Sequence, residues 1–223
     1  MATRQVLADL VAEFELQSGC LVSMESVGGV DAAKRVDAGE VFDVVVLASD
    51  AIDKLISAGR IHADSKVDLV RSGVAVAVRA GAPLPDIGSE DKVRHAVRAA
   101  RSIGYSTGPS GVALSRLFER WGIAGEIQGR IVQAPPGVPV GALVARGEVE
   151  LGFQQLSELM HVEGIAVAGN LPQAIQIITT FSADMATSLV AGSPRAEAVH
   201  ALLEFMSSPQ ASGAKQRHGM EPA

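Results

Sequence analysis

Cysteine, aromatics, positive charge and long apolar runs are all scarce in this 223-residue chain. There is one cysteine, Cys20, so an internal disulfide framework and a cysteine-rich metal site are both excluded. Aromatic residues make up 4%, with one Trp and one Tyr, too few for base-stacking platforms. Nineteen Lys and Arg face 25 Asp and Glu, a formal charge of −6, so nucleic acid is not expected as a partner. No stretch reaches the ~18 apolar residues of a membrane span. The opening Met1-Ala2-Thr3-Arg4-Gln5 carries no apolar leader, so the chain as written reads as cytoplasmic. The cofactor and nucleophile motifs G-x-G-x-x-G, G-x-x-x-x-G-K, H-E-x-x-H and G-x-S-x-G are all missing, so neither a cofactor nor a metal is expected.

What is present is an apolar, glycine-rich chain, 48% hydrophobic with 23 Gly, which excludes disorder and suits tight strand-to-helix turns. Val6, Leu7, Leu10, Val11 and Phe14 stand at helical spacing in residues 4–18, and Gly19 stops that helix. Residues 20–26 alternate like a strand. The run FDVVVLA at 42–48 reads as a strand buried on both faces, the kind found in parallel sheets, with Ser49 or Asp50 as the cap of the next helix. Strand-turn-helix units recur from there to residue 160, and two helices close the chain. The rhythm predicts an α/β fold with mostly parallel sheets, and the length suits two such sheets.

Ligands of open α/β sheets bind beyond the carboxyl ends of strands, at helix N-termini. Four turns fit that position: Val27-Gly28-Gly29, Ser106-Thr107-Gly108-Pro109-Ser110-Gly111, Pro135-Pro136-Gly137-Val138, and Gln154-Gln155-Leu156-Ser157. Each offers backbone N–H groups, some add hydroxyls or amides, and none contains Lys or Arg. That pattern predicts an anion held by neutral dipoles. Ordinary turn chemistry explains any single one of them; the hydroxyls flanking a helix start favour function at Ser106, Thr107, Ser110 and Gly111. Arg71, inside an apolar stretch, reads as either a salt-bridge partner or an anion contact.

The order FDVVVLASDAIDKLISAGRI, preceded by SVGGVDAAKRVDAGE and followed later by GEVELGFQQLSEL and ALLEFMSSPQASGAKQRHGMEP, resembles the molybdate-type, type 2 periplasmic solute-binding proteins over nearly the whole chain. The resemblance implies two lobes, 1–72 plus 183–223 and 73–182, with a ligand cleft between them. It implies a small anionic ligand, a periplasmic location and an ABC-transporter permease as partner. It also implies a first strand that precedes the first helix and is missing here, leaving Thr3 as the remnant of the first ligand loop. The ligand set so implied is Thr3, Val27, Gly28, Gly29, Arg71, Ser106, Thr107, Ser110, Gly111, Pro136, Val138, Gln154 and Gln155. Where the molybdate pattern wants a serine and a tyrosine, this chain has Val27-Gly28-Gly29 and Phe153-Gln154-Gln155, which favours a planar carboxylate over an oxyanion. GFQQLSEL also resembles the aconitate isomerases, built on the same fold. That reading requires a base, and the candidates are Tyr105, Asp31 and His161. Glu158 follows the Gln154-Gln155 turn too, with a solvent-facing position as its alternative.

Overall fold

The computed structural model describes residues 2–135, 137–187 and 189–223. Along the chain run α1 (Arg4–Ser18), α2 (Gly29–Asp37), β1 (Val44–Ala48), α3 (Ser49–Ser57), β2 (Val67–Arg79), α4 (Glu90–Ala99), β3 (Ile103–Ser106), α5 (Pro109–Arg120) and α6 (Ala124–Ile127). There follow β4 (Ile131–Ala134), α7 (Val140–Ala145), β5 (Leu151–Gln155), α8 (Leu156–Leu159), β6 (Ile165–Asn170), β7 (Ile178–Met185), α9 (Pro194–Ser207), α10 (Ser212–Arg217) and β8 (Glu221–Pro222). Two compact units result: Met1–Arg71 with Thr180–Ala223, and Ser72–Thr179. Strands β2 and β7 each carry the chain from one unit to the other.

In the first unit α1 buries Val6, Leu10, Val11 and Phe14, the helical stripe read from the sequence. It ends at Gly19, whose φ of 71° lets its N–H reach the Glu15 carbonyl. That stripe shares a core with Val199, Leu202, Leu203 and Met206 of α9 and Ala214 of α10. Strand β1 pairs antiparallel with β7, Val45 opposite Asp184. The apolar run at 42–48 therefore lies in an antiparallel pair rather than a parallel sheet; it reads as continuous because Val44 and Val46 pack on the α1–α9 core and Val45 and Leu47 on a second one with Ile52 and Leu55. Neither Ser49 nor Asp50 caps α3: Ala48 holds the capping position, with no side-chain bond.

Residues 20–26 form no strand. The alternation is real in burial, because Cys20 and Val22 pack against the α1 core while Leu21 is 93% exposed. A strand also needs a ladder partner, and the Val22 N–H goes to the Glu15 carboxylate at 2.7 Å instead.

In the second unit β2 pairs antiparallel with β5 and β6, while β3 lies parallel between β4 and β5. The sheets are thus mixed, not mostly parallel. Parallel pairs form only where a helix carries the chain back to the same end, as α5 and α7 do; β2 has antiparallel neighbours on every described ladder. Phe118 of α5 anchors this core, its ring 6.1 Å from Tyr105 and 6.2 Å from Phe153. Among the described residues no helix is long and apolar enough to cross a membrane.

Candidate functional site

Three of the four turns leave the same edge of one sheet. Strands β3 and β4 run parallel with Ser106 beside Ala134, and β3 and β5 run parallel with Gly104 beside Gly152. Their carboxyl ends therefore point the same way, and the turns after Ser106, Ala134 and Gln155 emerge together. Gly104 and Gly152 make this close layering possible. A Cβ on Gly104 would stand 2.7 Å from Val149, and one on Gly152 would stand 2.5 Å from Val144.

At the first of these turns Gly108 is extended and Pro109 opens α5, which has no acidic residue in its first turn and no side-chain cap. Helix α5 sits directly on the strand end: a Cβ at Gly111 would fall 1.7 Å from the Ser106 carbonyl oxygen. Ser110 is buried to 6% exposure, Ser106 is half-buried and Thr107 is exposed. At the second turn one donor is used within the turn. The Val138 N–H bonds the Pro135 carbonyl at 3.0 Å, and Pro136 lies outside the described residues. The Val140 and Gly141 N–H groups that open α7 donate to Gln154 Oε1 at 2.8 and 3.4 Å.

The third turn is the richest in polar groups. Gln154 and Gln155 are both buried, at 3% and 4% exposure. Gln154 commits its oxygen to α7. Burial holds the Glu158 carboxyl above the ordinary range, against a smaller opposing bond from Gln154. Gln155 Oε1 is buried with no hydrogen-bond partner among the described residues. Beside it, where β2 enters the second unit, Ser72 and Ser157 bring two buried hydroxyl oxygens within 3.4 Å. The edge thus gathers Ser72, Ser106, Ser110, Gln154, Gln155 and Ser157, all neutral, and one carboxyl. Neutral donors at a strand edge suit carboxylates or oxyanions without a counter-charge. Among the described residues no group of three His, Cys, Asp or Glu could hold a metal ion.

Other expected residues stand elsewhere. Val27, Gly28 and Gly29 belong to the first unit, where Gly28 precedes α2. Asp31 sits exposed in the first turn of α2 and already offsets the positive end of that helix. Thr3 is buried at the start of α1 with no side-chain capping bond. Arg71 is exposed and its guanidinium donates to the Pro222 carbonyl at 3.1 Å. Tyr105 is a core residue. Burial pushes its phenol up from its ordinary value, against a smaller opposing bond to Ser115. His161 is exposed in the turn after α8. The sequence reading places Ser157 only within its turn and does not single out Ser72, whose signal is a hydroxyl interrupting an otherwise apolar strand.

The chain matches the family model described as "Bacterial extracellular solute-binding protein" over residues 1–221. It is 42% identical over 189 residues to an aconitate isomerase of a Pseudomonas species, covering 84% of this chain and 70% of that protein. Among solved structures, the periplasmic molybdate-binding protein of Azotobacter vinelandii superposes with a TM-score of 0.76 at 20% identity, over 98% of this chain and 94% of that one. The sulfate-binding protein of Mycobacterium tuberculosis gives 0.76 at 16% identity, over 98% and 83%. L-phospholactate-bound PEB3 gives 0.75 at 13% identity, over 100% and 96%. These structural neighbours have the two-lobed periplasmic binding-protein fold. With a sheet edge of neutral donors, that fold, and a family match running almost end to end, the chain belongs to the bacterial extracellular solute-binding proteins.

Proposed function

We propose that this chain binds a small polycarboxylate of the aconitate class and interconverts its cis and trans forms. The observation that carries this reading is the 42% identity to an aconitate isomerase over 84% of the chain. The donor set supports it. Buried amides and hydroxyls at the ends of β3 and β5 match the planar, hydrogen-bond-accepting faces of carboxylates. The start of α5, free of acidic residues, suits a further carboxylate. Moving the double bond shifts one proton along an allylic system, which needs a base and stabilisation of charge delivered to a carboxylate. Neutral dipoles provide the second without a bound cation.

The test is incubation of the purified chain with trans-aconitate, following cis-aconitate by chromatography and deuterium uptake from the solvent. Turnover with uptake is expected; a melting-temperature shift by aconitate without turnover would overturn the isomerase reading. It would leave a second reading that family membership favours: a receptor in the periplasm that hands a small anion to an ABC-transporter permease. In both cases aconitate or citrate should raise the melting temperature more than molybdate or tungstate, and a shift by molybdate alone would reverse the ligand class.

A further inference from the structure

We propose that Glu158 is the residue that moves the proton in the isomerisation, an inference that rests on the isomerase reading above. Glu158 lies on α8 directly after Gln154 and Gln155, at the carboxyl edge of the sheet where the neutral donors collect. Among the described residues of this cluster it is the sole carboxyl; the others, Ser72, Ser106, Ser110, Gln154, Gln155 and Ser157, are amides and hydroxyls that do not titrate near neutrality. Its immediate support is built rather than incidental. Gln154 is locked through its oxygen by two backbone N–H groups of α7, which leaves its N–H₂ as the end available to a neighbouring carboxylate. Next to it, Gln155 keeps a buried amide oxygen with no partner among the described residues, so the spot holds hydrogen-bonding capacity that these residues leave unused.

The chemistry balances with this one group. The Glu158 carboxylate takes a proton from the CH₂ carbon of trans-aconitate, and the C–H electron pair enters the allylic system and the adjoining carboxylate. The protonated Glu158 then returns a proton to the other allylic carbon, the new double bond lies between the central carbon and the former CH₂, and the enzyme is unchanged. No oxidant, reductant or second substrate is required. Burial, which raises the carboxyl, makes it a stronger base than an exposed glutamate and eases the return of the proton.

The experiment compares wild type, Glu158→Gln and Glu158→Asp in three readouts: turnover of trans-aconitate, deuterium uptake into it, and its effect on melting temperature. Glu158→Gln keeps the shape and is expected to lose at least 100-fold in turnover and in deuterium uptake while retaining the ligand-induced melting shift. Glu158→Asp is expected to recover part of the turnover, which a purely structural role would not require. Wild-type turnover that survives Glu158→Gln within 3-fold overturns this assignment and leaves the isomerase reading standing. Absence of turnover in the wild type overturns that reading and this assignment together. Loss of the melting shift in Glu158→Gln, with no recovery in Glu158→Asp, overturns the assignment in favour of a binding role.

Discussion

Gly111 shows how little room one residue can have. Its missing side chain is what allows α5 to rest on the Ser106 carbonyl, since a Cβ there would overlap backbone that cannot swing aside. Gly111→Ala is therefore expected to destabilise the second unit by about 3 kcal/mol or more, by the overpacking mechanism, and to lower the thermal midpoint by at least several degrees. A variant melting with the wild type would show that α5 can lift off the strand end at little cost. Its neighbour Ser110 tests a different role. Ser110→Ala is expected to weaken aconitate binding by about 1–3 kcal/mol if its oxygen meets the charged ligand, with the unliganded melting temperature kept. Parallel losses in titration calorimetry and in the unliganded melt would make Ser110 structural instead.

Strand β7 carries an unusual load for a buried element. Asp184 on it is 0% exposed; its Oδ1 accepts from the Ser65 hydroxyl and, at 2.8 Å, from the Met185 N–H, while Oδ2 has no partner among the described residues. Burial raises the carboxyl, and the bonds from Ser65 and Met185 and the charges of His62 and Lys66 only partly offset it. The sign follows. A carboxyl that holds its proton more tightly folded than unfolded favours the fold at low pH, and that contribution is lost as pH rises from the unfolded value through the folded one. Asp184→Asn mimics the protonated acid. At pH 7 it is expected to be more stable than wild type by about 1 kcal/mol in urea unfolding, with the difference shrinking toward pH 4. A less stable variant at pH 7 would mean that the carboxylate is held by more than these partners. The same unit shows where reading elements from sequence stops: residues 20–26 alternate in burial as a strand does, but their backbone has no ladder to join.

Across the whole molecule, a ligand that binds only the folded chain stabilises it by mass action. At 100-fold saturation that amounts to about 2.7 kcal/mol, so trans-aconitate should produce a shift that grows with the logarithm of its concentration, readable in a thermal melt. A shift that plateaus at low concentration would mean that the unfolded chain binds it too. The sequence alone determined the helices, the strand-turn-helix rhythm and the neutral chemistry of the turns, because apolar spacing, Gly stops and side-chain type act locally. Helix α1 with its Gly19 stop was legible that way. Tertiary structure alone decided strand order and direction, which depend on partners far along the chain, and so turned an expected parallel sheet into a mixed one. It also decided the fate of individual polar groups. Arg71 went to a carbonyl, Tyr105 into a core, and Glu158 beside a locked glutamine, because burial and hydrogen-bond partners are set by what folds against a residue and not by what adjoins it in sequence.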